Sequence, residues 1–163
     1  VLIDNRGTGK SASLDNLADY SINMMAIDVA SVVESLNLPP FNLLGWSLGA
    51  CVALEFAHLY PNLVRKLILV SGTAGAKLYV WPVNTILKQL VYPMGATPQE
   101  QYLNSLRVCL PEQDFNKYTD VLTQMYQAMA PNYTSPQVGK AQLNAYKNFA
   151  AAEYGTINLS VLL

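Results

Sequence analysis

Gly45-Trp46-Ser47-Leu48-Gly49 places a serine, a potential nucleophile, midway between two glycines. It fits G-x-S-x-G, in which a serine sits on a sharp turn between a strand and a helix. Lifted clear of the sheet on such a turn, the hydroxyl becomes a usable nucleophile. The turn presses backbone against backbone, so glycine is expected two residues before and two after the serine. The flanking sequence supplies the context. Phe41 to Gly45 is a short apolar run suited to a buried strand. Leu48 to Leu59 reads as a helix, with Val52, Leu54, Phe56, Ala57 and Leu59 giving it broad apolar faces.

A second glycine-rich loop precedes this one. Val1-Leu2-Ile3 reads as the tail of a strand that enters Asp4-Asn5-Arg6-Gly7-Thr8-Gly9-Lys10-Ser11. Gly9-Lys10-Ser11 resembles the end of a phosphate-binding loop, but that pattern requires glycine where this chain has Asp4. A carboxylate there would repel phosphate. The loop is therefore read as a turn, with Gly7 and Gly9 free to adopt angles that other residues resist.

These loops need elements to hold them. Ile22, Met25, Ala26, Val29, Val32, Val33 and Leu36 recur at three- and four-residue steps and form one helical stripe, with Ser21 as N-cap and Pro39-Pro40 as terminator. Leu67 to Val70 is a further buried strand, ending in Ser71-Gly72-Thr73. Three strands separated by two helices indicate a parallel α/β architecture. After Gly75 the texture changes to four helical segments. Pro82 suits the first turn of one, and Thr97-Pro98-Gln99-Glu100 makes a capping box for the next. Phe115, Tyr118, Val121, Leu122, Met125 and Met129 share a face of a third. Ser135-Pro136 opens a fourth, expected to run to about Glu153. An all-helical segment after a sheet is expected to lie over its end as a lid.

Composition narrows the function classes. The 163 residues are 52% hydrophobic and only 13% charged, with net charge −1. That is ample for one core and leaves no electrostatic footprint for nucleic acid. Cys51 and Cys109 are too few for a disulfide framework and are not spaced as metal ligands. No apolar run reaches the length of a membrane span. The chain opens on Val1 rather than methionine, so the lack of a signal peptide leaves localisation open. No metal or organic cofactor is implied, and the oligomeric state is open.

Asp4 to Ser11 resembles the D-x-R-G-x-G-x-S loop of the α/β-hydrolase superfamily. The stretch NLLGWSLGACVALEFAHLYPNLVRKLILVSG resembles that superfamily's elbow, following helix and next strand. The nearest members are small hydrolases such as proline iminopeptidases, esterases and lactonases. The resemblance implies a partial α/β-hydrolase sheet over residues 1–75, a helical cap over 76–155, and a return toward the core over 156–163. It implies Ser47 as nucleophile, the backbone N–H of Leu48 as one oxyanion-hole donor, and Gly45 and Gly49 as the residues that permit the turn. The implied partner is a small-molecule substrate carrying an ester, amide or lactone bond.

The departures from the family pattern are as informative. The only histidine, His58, lies eleven positions after Ser47 on the same expected helix. At the ordinary helical rise that is about 16 Å along the axis, too far for a general base. None of Glu100, Glu112, Asp114, Asp120 or Glu153 follows a recognisable strand. The family's upstream His-Gly loop is also missing. The expectation is the middle part of a hydrolase, inactive by itself and marginally stable because parallel strand edges are exposed. The alternatives are a non-catalytic homologue serving as a binding module and, least favoured, a phosphate-binding loop.

Overall fold

A computed structural model describes residues 1–75, 84–91, 93–130, 134–151 and 160–162. Helix α1, Ile22–Ser35, begins where the sequence indicates: the Ser21 hydroxyl accepts the Met24 N–H at 3.1 Å. Its apolar stripe, Ile22, Met25, Ala26, Val29 and Val33, is buried. Strand β1, Phe41–Trp46, helix α2, Leu48–Leu59, and strand β2, Val64–Val70, follow in order. β2 starts three residues earlier than its apolar run suggests. The helical region holds α3, Asn84–Val91; α4, Pro98–Leu106; α5, Glu112–Met129; and α6, Pro136–Asn148. Strand β3, Ser160–Leu162, closes the described chain.

The sheet is parallel and three-stranded, in the order β1-β2-β3. Leu43 pairs with Leu67, Trp46 with Val70, and Ile68 with Leu162. The strand expected at Val1–Ile3 is not formed. Those residues are irregular, and Leu2 is fully exposed at 101%. A parallel strand exists only through its ladder, and the outer edge of β1 carries no partner among the described residues. The third strand comes instead from Ser160–Leu162, in the run expected to return toward the core. Helix α6 ends at Asn148 because Phe149 takes an extended conformation (φ −71°, ψ 136°). The expected start at Pro82 and the expected end at Glu153 lie outside the described residues.

One face of the sheet is covered. Leu43, Leu67 and Leu69 pack under α2, with α1 beside it, around the fully buried Phe56, Met25, Leu67 and Cys51. Phe56 stacks obliquely on Tyr60 at 5.0 Å and on Phe41 at 5.9 Å. The pleat sends alternate residues to the other face, where Leu44 and Trp46 stand 60% and 71% exposed. The helices divide between two clusters. Val138, Ala141 and Ala145 of α6 belong to the main core. Tyr102 of α4 and Phe115 and Leu122 of α5 are buried outside it, with Tyr102 against Tyr126 at 5.5 Å. α4 carries the expected capping box, in which Thr97 and Glu100 each bond the other's backbone N–H.

Arg6 ties the first loop to α1. Its guanidinium grips Asp28 through two bonds of 2.7 Å and donates to the Asp19 carbonyl at 2.6 Å. The Arg6 side chain is only 10% exposed, and its hydrogen bond to Asp28 raises its pKa further. Arg6→Leu should cost about 1–3 kcal/mol, the range for hydrogen bonds to charged groups, because it removes the grip on Asp28 and the bonds to the Asp19 and Met24 carbonyls. Denaturant unfolding checks this; an unchanged midpoint would contradict it.

Candidate functional site

Ser47 sits between the last residue of β1 and the first of α2, in an unusual conformation. Its φ is 53° and its ψ −120°, a region that a non-glycine residue enters only under strain of about 1–3 kcal/mol. The strain is held from both sides. The Ser47 N–H donates to the Val70 carbonyl at 2.9 Å, fixing the turn to the end of β2. Its carbonyl accepts the Ala50 N–H at 2.9 Å and starts the helix. The side chain is exposed and forms no capping hydrogen bond, although serine at a helix start commonly does. The turn aims the hydroxyl outward rather than back at the helix amides.

Gly45 makes this geometry possible. A Cβ there would collide with the Gly49 carbonyl oxygen and lie 2.7 Å from the Ala50 Cα, so strand and helix meet with no room for a side chain. Gly49 differs from the expected pattern: a Cβ there would meet nothing within 4 Å. The steric requirement therefore falls on one side of the turn. Leu48 is the first residue of α2, so its N–H has no carbonyl one turn earlier to bond. It lies at the positive end of the helix dipole, where a developing negative charge is favoured.

Other candidates lie elsewhere. His58 is exposed in the last turn of α2, at the opposite end from Ser47. Cys51 is buried one turn into α2, and its thiol donates to the Thr73 carbonyl at 3.5 Å. Burial pushes the Cys51 thiol up to about 11. Among the described residues no cluster of His, Cys, Asp and Glu could hold a metal ion, and no helix is long and apolar enough to cross a membrane.

The Asp4–Ser11 loop closes on its own carboxylate. Asp4 Oδ2 accepts the Lys10 N–H at 3.1 Å, the Ser11 hydroxyl donates to the Asp4 carbonyl at 2.7 Å, and the carboxylate lies against Gly9. The space a phosphate would need is taken by a like charge, which disposes of the phosphate-loop reading. A residue from outside the loop, with no signal in the sequence, also meets it here. Gln142 of α6 donates to the Arg6 carbonyl at 3.1 Å and to the Thr8 hydroxyl at 2.8 Å, across more than 130 positions of sequence. No local pattern signals a contact of that range.

The sequence model of the alpha/beta hydrolase fold family matches residues 1–153. A candidate carbamate hydrolase, RutD, of Pseudomonas savastanoi pv. phaseolicola is 30% identical over 95 residues, covering 58% of this chain and 36% of that protein. An uncharacterised protein of Mycobacterium bovis is 35% identical over 79 residues, covering 48% of this chain and 22% of that one. The matches thus span about a third or less of these relatives. Among solved structures, a candidate aryl esterase from Burkholderia cenocepacia is similar with a TM-score of 0.72 at 21% identity, over 98% of this chain and 58% of that one. The enol-lactonase from Burkholderia xenovorans has a TM-score of 0.70 at 17% identity, over 97% and 58%. At these identities the structures speak to the fold.

The two elbow glycines should separate on substitution. Gly45→Ala forces the β1–α2 contact apart and should cost about 1–3 kcal/mol, as overpacking does. Gly49→Ala should be neutral or stabilise by about 0.5–1 kcal/mol, since it replaces a helical glycine in open space. Equal losses in thermal unfolding would contradict this assignment. The cysteines make a second pair. A thiol reagent at neutral pH should modify exposed Cys109 and spare Cys51 until the chain unfolds. Because the Cys51 pKa is raised from 9.0 to about 11 in the fold, its contribution to stability is complete below pH 9 and is lost as pH rises from there through about 11. A Cys51→Ala variant with an unchanged alkaline unfolding profile would show that Cys51 is not the group responsible.

Proposed function

The chain belongs to the alpha/beta hydrolase fold family, and on that premise we propose that it carries the nucleophile of a serine hydrolase acting on a small ester, amide, carbamate or lactone. The observation that carries the reading is the strained, outward-facing Ser47 at the junction of β1 and α2. In the proposed reaction the Ser47 hydroxyl attacks the substrate carbonyl and forms an acyl-enzyme. The carbonyl oxygen, now negative, is stabilised by the Leu48 N–H at the start of α2. Water then releases the acyl group. Gly45 acts only by letting strand and helix approach.

The reaction also needs a base to take the serine proton and a carboxylate to orient that base. His58 is the only imidazole in the 163 residues and stands a full helix away. We assign both roles to groups outside this sequence, and the helices α3–α5 to a cap over the site. One observation, the position of His58, favours a second reading: a non-catalytic homologue whose elbow serves as a binding module.

Kinetics separate the two. In the full-length protein, Ser47→Ala should lower kcat for a p-nitrophenyl ester by about 10⁴- to 10⁶-fold with little change in KM. The 163 residues alone should turn over the ester no faster than buffer. Full-length activity that survives Ser47→Ala would defeat the proposal, and a full-length protein with no hydrolase activity would leave the binding-module reading in its place.

A further inference from the structure

A cavity of about 770 Å³ lies between the Asp4–Ser11 loop and helices α3 to α6, and Ser47 is not among its lining residues. Its volume suits a drug-sized ligand. Its lining mixes polar and apolar groups: Asp4 with Lys10 and Thr8 with Gln142, each pair joined by a hydrogen bond, and the apolar Leu90, Pro93 and Met129. From this we propose that the cavity binds a small amphiphile whose uncharged secondary amide or carbamate head is held by Thr8 and Gln142, with an apolar tail toward Leu90 and Met129. The inference concerns binding alone and does not rest on the role assigned to Ser47.

The head chemistry follows from which hydrogen-bonding valences are already used. The Arg6 carbonyl can only accept, so the Gln142 atom facing it must be the amide nitrogen. That nitrogen spends its second hydrogen on the Thr8 hydroxyl. Gln142 is thereby pinned, with its Oε1 making no hydrogen bond among the described residues. The Thr8 oxygen accepts from Gln142, which leaves its own hydrogen to donate. A ligand head that offers one N–H and one carbonyl satisfies both, as an amide or carbamate does and an ester does not. Asp4 and Lys10 bring opposite formal charges to the same wall, so an ion of either sign meets a like charge there. An uncharged head avoids that cost. In the apolar part of the lining, Met129 is flexible and half exposed, able to pack on tails of varied shape.

Isothermal titration of the full-length Ser47→Ala protein tests this with N-hexylacetamide, with 2-nonanone, which replaces the N–H by CH₂, and with tail-less N-methylacetamide. N-hexylacetamide should bind about 3- to 10-fold tighter than 2-nonanone, the worth of one net hydrogen bond. Met129→Gln should weaken N-hexylacetamide and leave N-methylacetamide unchanged. Thr8→Val should weaken all three probes, since each carries a carbonyl. Equal binding of amide and ketone, no saturable binding of the amide, or indifference to Met129→Gln would overturn the proposal. Should circular dichroism show that Thr8→Val does not fold, the ketone comparison and Met129→Gln decide.

Discussion

The approach of β1 to α2 at Gly45 is the constraint on which the rest depends. With no side chain there, the strand turns into the helix within a single residue, and that residue, Ser47, takes up the strain. A left-handed backbone at a serine persists only where its surroundings over-determine it. Here they do so through two backbone bonds, one to the end of β2 and one into the first turn of α2. Phe56 and Cys51, fully buried in the core beneath α2, keep the helix seated on the sheet. Core packing thus holds open a turn that local preference would relax.

The second organising feature is the Asp4–Ser11 loop. Arg6 fastens it to α1, Asp4 closes it on itself, and Gln142 fastens it to α6. Helix α6 is consequently part of the same body as the sheet, and its apolar face is buried in the main core. Helices α4 and α5 bury Tyr102, Phe115 and Leu122 in a cluster of their own. The cavity lies between the Asp4–Ser11 loop and helices α3 to α6.

Much of this was legible from local signals. Ser21 and Thr97 cap the helices their patterns indicate, and α2 begins and ends at the residues read from the sequence, because capping and periodicity are decided within a few positions. The strand at Val1–Ile3 failed for a non-local reason: apolar residues make a strand only beside a partner, and among the described residues none flanks the outer edge of β1. The single face of α5 read from Phe115 to Met129 is divided in the structure. Phe115 and Leu122 are buried while Tyr118, Val121, Met125 and Met129 are exposed, since periodicity gives a stripe but not the width of what covers it. Gly49 matched the motif's pattern without its steric reason. The contact of Gln142 with Thr8 had no sequence signal, being a product of how two distant segments pack.

Ser47 is the serine we propose this backbone presents for reaction. Labelling the full-length protein with a fluorophosphonate probe, followed by peptide mapping, tests it most directly. A single adduct on Ser47 is expected, and it should disappear when the protein is unfolded beforehand. An adduct on a different serine, or none in a protein that is folded and hydrolyses esters, would contradict it.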